Sequence, residues 1–332
     1  MMAAAVGGHC EVIHELLCNG APWNAVDKHG RSAGNYALKA GHQKAVDQIV
    51  NAGVTAELIF AQLGKNQRKG QGIGSSEKAN KESKEYIDRN VRYSQGKLLD
   101  ESEDAVMMKW ETPLMEAHAK VLCPKEGLDV LNIGFGMGIV DTALQKFKPK
   151  SHTIVEVHGG VLKKIYADGW DKKPGVIVVP GRWQDVMHEL GTYDAIFFDT
   201  YGEYYDDMRE FHSWLPKILR EGGIYSFFNG FCPDNIIFQG VMCQVLQQEL
   251  ALQNIAVEFQ QCDIDIDEKD WEGVKRKYFW SNTYYLPIGR KASTASKEEA
   301  HSSSDNSNRR MSIEEAAHGE TGDVKEDSSS ID

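Results

Sequence analysis

Leu128-Asp129-Val130-Leu131-Asn132-Ile133 runs directly into Gly134-Phe135-Gly136-Met137-Gly138. The first six residues are mostly Val, Ile and Leu and read as a strand. Three alternating glycines then make a turn in which backbone N–H groups can approach a ligand closely. A helix is expected from about Ile139 to Phe147. Strand, glycine turn and helix in that order open a nucleotide-binding α/β fold, with the turn at the carboxyl end of the sheet.

The alternation continues outward from this stretch. Strands are expected at His152–Val157, Val176–Val179, Asp194–Asp199 and Gly223–Asn229. Helices are expected between and after them, at Val161–Trp170, Trp183–Leu190, Met208–Leu219 and Asn235–Gln253. Such a pattern predicts a parallel sheet covered on both faces. Two last strands, at about Ile255–Cys262 and Tyr278–Pro287, have no helix between them and predict an antiparallel addition at one edge.

Within this frame, Glu156 ends the second strand, 22 residues after Gly134. A carboxylate there can accept hydrogen bonds from both ribose hydroxyls of an adenosine. The turn reads G-x-G-x-G and lacks the G-x-G-x-x-G spacing of dinucleotide binders, which favours S-adenosyl-L-methionine, an adenosine without phosphate. Gly181-Arg182-Trp183-Gln184-Asp185 follows the third strand, where an adenine would lie, with Trp183 able to stack and Gln184 to hydrogen bond. Asp199 ends the fourth strand, facing the ligand cleft.

The flanks differ in kind. Gly8-His9 recurs as Gly41-His42 and Gly20 as Gly53, a period of 33 that resembles the ankyrin repeat, with Asn24–Gly30 as its hairpin turn. About one and a half repeats fill residues 1–61, and so short an array is expected to lean on the next domain. Residues 62–85, rich in Gly, Lys, Asn and Ser, read as a flexible linker before a domain spanning 86–290. Residues 291–332 hold ten serines, ten acidic and five basic residues, and read as a disordered tail. That tail supplies -5 of the whole chain's formal charge of -12. An acidic balance argues against direct nucleic-acid binding and suits a cationic substrate. No apolar run is long enough for a membrane span, and Met1–Gly8 does not read as a signal peptide. The six cysteines form no C-x-x-C pair, so neither a disulfide framework nor a metal site is expected, and the reading is cytoplasmic or nuclear.

Val106-Met107-Met108-Lys109-Trp110-Glu111-Thr112-Pro113-Leu114-Met115 together with the glycine turn resembles the guanidino-group methyltransferases. That group joins guanidinoacetate methyltransferase with the fungal protein-arginine N5-methyltransferases. Glu156-Val157-His158, the Gly181–Asp185 motif, Phe198-Asp199-Thr200-Tyr201 and Ser226-Phe227-Phe228-Asn229-Gly230 extend the likeness over about 86–290. Ankyrin-like repeats ahead of the domain resemble the fungal arginine enzymes, as does Asn229-Gly230, whereas Pro113 is more similar to the small-molecule branch. The resemblance implies a Rossmann-like class I methyltransferase with a small all-α ankyrin module. It also implies that Tyr86 (with Tyr93 as the competing position), Met107 and Met115 contact the cofactor from an N-terminal lid. Gly134, Phe135, Gly136, Met137, Gly138, Ile139 and Val140 would line its methionine and ribose side. Glu156, Val157 and His158 would meet ribose and adenine, Trp183 and Gln184 the adenine, and Asp199 the cofactor and the substrate.

Glu111 and Asp199 are then the implied catalytic pair. A guanidinium, with a pKa of about 13.8, is a poor nucleophile. Two carboxylates can hold it through charge-assisted bidentate hydrogen bonds and aim one nitrogen at a methyl donor. The expected partner is a protein bearing arginine, recruited through the repeats, with methylation at the internal δ nitrogen. The alternative is a small-molecule guanidino acceptor such as guanidinoacetate.

Overall fold

The computed structural model describes residues 1–68 and 86–293. The chain forms two compact units, one built on Met1–Glu57 with Asn235–Gln244, the other on Leu58–Asp234 and the residues from Val245 onward.

In the first unit, helices Met2–Val6, Cys10–Cys18, Ala33–Lys39 and the start of Gln43–Arg68 follow the 33-residue period. Their connecting hairpin is closed by a bridge between Val26 and Ser32. Asp27 organises it, accepting from the Tyr36 hydroxyl at 2.6 Å and from the backbone N–H groups of His29 and Arg31. Those donors, Tyr36 first, hold its carboxyl well below the usual carboxylate range. Ser32 and Asn35 then cap the next helix reciprocally. Residues 235–244 complete the core of this unit: Asn235 donates to Gly30 O and Asn35 Oδ1, and Phe238 meets Trp23 edge-on at 5.4 Å. Gly34 and Gly53 allow this packing, since a Cβ at either would come within 2.6 Å of Ile237 or 2.8 Å of Val241.

The second unit contains a seven-stranded sheet. Its strands are β4 (Asp129–Ile133), β5 (Ser151–Glu156), β6 (Val176–Pro180), β7 (Tyr193–Phe198), β8 (Leu219–Phe227), β9 (Ile255–Asp263) and β10 (Thr283–Lys291). Their order is β6-β5-β4-β7-β8-β10-β9, parallel except where β10 pairs antiparallel with β8 and β9. The chain leaves β4 toward β5 and β6, then returns to place β7 on β4's other side. The carboxyl ends of β4 and β7 are therefore the switch point, where α/β sheets leave a crevice. Ile133 pairs with Phe198, so Gly134 and Asp199 leave the sheet side by side.

A second sheet, not expected above, precedes these strands: β1 (Val91–Ser94), β2 (Lys97–Asp100) and β3 (Ala105–Met108), all antiparallel. Other boundaries differ from the reading above. The helix expected at Trp183–Leu190 is one turn, Trp183–Val186, followed by a 3-10 turn at Met187–Glu189. That expected at Met208–Leu219 starts at Tyr205 and is interrupted between His212 and Leu215, and Leu219 already belongs to β8. The last strand begins at Thr283, five residues later than expected, because Tyr278 turns into the cleft. The linker expected from residue 62 is helical as far as Arg68, since one glycine inside a long helix costs only about 1 kcal/mol. The rest of that linker, 69–85, and the tail from 294 lie outside the described residues. Among the described residues, no helix is long and apolar enough to cross a membrane, and no cluster of His, Cys, Asp or Glu is arranged to hold a metal.

Candidate functional site

At the switch point lies a cavity of about 570 Å³, within the usual range for cofactor and substrate sites. Ten of the residues singled out in the sequence line it: Tyr86, Met107, Glu111, Gly134, Gly136, Glu156, Val157, Trp183, Gln184 and Asp199. Met115, Phe135, Met137, Gly138, Ile139, Val140 and His158 are not among the lining residues. Met115, Phe135, Val140 and His158 are buried.

The floor is the glycine turn. Gly134 continues the ladder by donating to Val155 O, and Gly138 closes the turn by donating to Phe135 O. Gly134, Gly136 and Gly138 all have positive φ, and at Gly134 a Cβ would fall 1.9 Å from Asp199 O. The lid sheet presses on this turn: the Tyr93 hydroxyl donates to Gly136 O at 2.8 Å, and Met107 Sδ accepts from Met137 N. Tyr86 lies against His158 and Tyr201, with ring centroids 4.9 and 4.7 Å away. Both tyrosines weighed for the lid are thus at the turn or the cavity, in different places.

Glu156 is 7% exposed and accepts from three backbone N–H groups, Phe135 at Oε2 and Val157 and His158 at Oε1. Burial raises its pKa and those donors oppose the rise. Oε2 takes only one of these bonds and keeps acceptor capacity. Across the cavity, Glu203 accepts from Trp183 Nε1, Gln184 Nε2 and Thr200 Oγ1. Gln184 Oε1 is buried without a partner.

Glu111 sits in the 3-10 turn after β3, with Pro113 in the first turn of helix Thr112–Leu122, where a missing N–H is harmless. It is 3% exposed, and its Oε1 accepts from Met108 N at 2.7 Å and from the Tyr278 hydroxyl at 2.6 Å. Burial, then the nearby Asp199 carboxylate, pushes Glu111 up to about 8. Burial, then Asp141, pushes Asp199 up to about 7. The part of Asp199 that remains exposed faces the cavity. No basic side chain is paired with either carboxyl among the described residues: Lys277, on the same wall, bonds to Glu268. A buried and a half-buried carboxyl on one cavity, both biased toward neutrality, form a pair whose ionisation a bound cation would restore.

The chain is similar to known proteins over most of its length. Residues 77–239 match the guanidinoacetate N-methyltransferase family and residues 1–49 the ankyrin repeats. The chain is 35% identical over 324 residues to protein arginine N-methyltransferase 2 of Aspergillus fumigatus, covering 84% of this chain and 76% of that relative. It is 31% identical over 315 residues to the protein of the same name from Saccharomyces cerevisiae, covering 83% and 76%. The chain belongs to the protein arginine N-methyltransferase 2 family. It is an S-adenosyl-L-methionine-dependent methyltransferase, and its own residues fit that cofactor: a turn with glycine at its three positive-φ positions, and at the end of β5 a carboxylate with spare acceptor capacity lining the same cavity.

Sequence reasoning missed Glu203 and Tyr278. Glu203 follows Asp199 by four residues, and the run Phe198–Tyr201 beside it was the available signal. Tyr278 lies 167 positions from Glu111 and carries no local signature.

Proposed function

We propose that this chain methylates a guanidino nitrogen of arginine in protein substrates, at the internal δ nitrogen, with Glu111 and Asp199 holding the guanidinium. The observation that carries this reading is the pair of neutral-leaning carboxyls, Glu111 buried and Asp199 half-buried, on one cavity with no basic partner among the described residues. The bound cofactor supplies an electrophilic methyl group on a sulfonium. Glu156 takes the ribose hydroxyls, and Trp183 and Gln184 border the adenine. Glu111, fixed through Oε1 by Tyr278 and Met108, offers Oε2 to the guanidinium. Asp199 offers its carboxylate from the lip of β7. Together they would hold one guanidinium nitrogen oriented for transfer, and such orientation can supply much of the rate enhancement. This carboxylate pair, whose raised pKa values suit it to act as base, would take up the proton that the guanidinium nitrogen gives up when the methyl group passes to it from the sulfonium. The ankyrin unit supplies the surface that recruits the protein substrate.

The reading is tested by incubating the enzyme with methyl-labelled cofactor and cell lysate, then hydrolysing the labelled protein. N5-methylarginine is expected. Labelled terminal methylarginine would overturn the regiochemistry, and labelled guanidinoacetate with unlabelled protein would overturn the choice of a protein acceptor.

A pH dependence follows from the two carboxyls. A cation binds the ionised pair, so kcat/KM is expected to rise with pH between about 6.5 and 8.5 and then level off, as free-enzyme groups report in that ratio. A profile flat from pH 6 to 9 would remove Glu111 and Asp199 from guanidinium binding.

A further inference from the structure

Among the residues that line the cavity, three are exposed: Gly230, Arg276 and Trp280. Gly230 follows β8, and Arg276 and Trp280 belong to the segment between β9 and β10. Glu156, Trp183 and Gln184, around the ends of β5 and β6 in the other half of the sheet, are buried or half-buried. The exposed end of the cavity is therefore the end away from Glu156, past β8 and the start of β10. A molecule that reaches Glu111 and Asp199 from solvent with the cofactor in place meets these three residues.

Of the chain's seven tryptophans only Trp280 is exposed, at 55%. The residues before it hold it in place. Tyr278 is bonded to Glu111, and its ring meets Trp271 edge-on at 5.1 Å. Phe279 is 1% exposed and lies 5.8 Å from the Trp110 ring. The indole thus stands on a fixed wall of the cavity, with a large apolar surface left in water, where burial by a ligand would be favourable. Gly230 leaves room beside it, since a Cβ there would make only ordinary contact with the Phe228 ring at 3.5 and 3.6 Å. Arg276 leans toward Asp104 at 4.0 Å. The uncharged surfaces at this opening are therefore the indole and the glycine.

We propose that Trp280 is the docking residue for a polypeptide acceptor: the chain that carries the arginine rests on its indole where it leaves the cavity. The proposal rests on the reading that Glu111 and Asp199 hold the guanidinium. With the guanidinium on that pair, the arginine methylenes and the adjoining peptide groups lie toward the opening. The methylenes cover the face of the indole, whose N–H can donate to a peptide carbonyl, while the backbone passes Gly230. A small guanidine has nothing to place there, so Trp280 favours a polypeptide over a small acceptor. Tryptophan is over-represented among the side chains that carry most of an interface's energy, because one rigid ring buries a large area.

The test is calorimetric titration of the full chain, saturated with S-adenosylhomocysteine, by two probes. One is methylguanidine, a bare guanidinium; the other is the capped pentapeptide Ala-Ala-Arg-Ala-Ala. The wild-type protein is expected to bind the peptide at least about 10-fold more tightly than methylguanidine. Trp280→Ala is expected to weaken the peptide by about 10-fold and to leave methylguanidine within about twofold of wild type. Trp280→Phe, which keeps an aromatic face, is expected to restore most of the peptide affinity. An unchanged ratio between the probes in Trp280→Ala, whether neither or both are weakened, would overturn the proposal, as would a wild-type protein that binds the peptide no better than methylguanidine. Failure of the wild-type protein to bind methylguanidine at all would instead overturn the carboxyl-pair reading on which it rests.

Discussion

Asp199→Asn is expected to lower kcat/KM for an arginine-bearing protein by about 10²- to 10⁴-fold, with S-adenosylhomocysteine still bound and the fold intact. Removing one carboxylate from a desolvated charge pair leaves the guanidinium half-compensated, a loss that commonly amounts to about 3–5 kcal/mol. Glu111→Gln removes the other half. Its amide oxygen can keep the bonds from Tyr278 and Met108 N, but an NH₂ replaces the oxygen offered to the guanidinium. A comparable fall is expected. Near-wild-type turnover in either purified variant would remove that residue from the mechanism.

The same substitution carries a stability signature of opposite sign. Glu111 has a folded pKa raised to about 8, so the stability associated with its neutral form is present at low pH and lost as pH rises through that value. Free wild-type protein is therefore expected to lose about 2–3 kcal/mol between pH 6 and 9 from this group. Glu111→Gln, unable to ionise, should melt several degrees above wild type at pH 9 and close to it at pH 5.5. A variant that is inactive yet more alkali-stable distinguishes a functional burial of charge from a structural one. Melting curves showing Glu111→Gln less stable at both pH values would contradict it.

What could be read from sequence was what is encoded locally. The glycine turn, Glu156 and Asp199 lie where a strand ends, and strand ends announce themselves by a change from apolar to Gly or acidic residues. The ankyrin hairpin was legible for a similar reason, since Asp27, Ser32 and Asn35 act on neighbours within nine residues. The three strands β1–β3 were not, because each is four residues long, too short for a period-two alternation to stand out. Nor were the partners that tune the acids. Tyr278 reaches Glu111 from the segment before β10, and Glu203 binds Trp183 and Gln184 across a strand. The Trp183-Gln184 motif shows nothing of Glu203, which accepts from both side chains.

Gly134→Ala is expected to be the most damaging glycine-to-alanine change among the described residues. The new Cβ would stand 1.9 Å from Asp199 O, a backbone atom that cannot rotate away. Gly134 is itself tied to β5 through Val155 O, and Asp199 to β4 through Ile133 O, so neither side can give without breaking ladder hydrogen bonds at the switch point. The φ of +92° adds conformational strain to the clash. Gly127→Ala separates the two effects: its φ is +78° but nothing lies within 4 Å of its Cβ, so it bears the strain without the collision. Gly127→Ala should cost about 1–2 kcal/mol and leave ligand affinity unchanged. Gly134→Ala should cost about 3–5 kcal/mol, lower the melting temperature by roughly 10 °C or more and abolish measurable binding of S-adenosylhomocysteine. Any displacement that relieves the clash also moves the Asp199 backbone, so a surviving fold should still lose turnover. Calorimetry and thermal melts on both variants check this. Equal, small effects at the two glycines would mean that strain alone, and not the close approach of β4 to β7, makes Gly134 necessary.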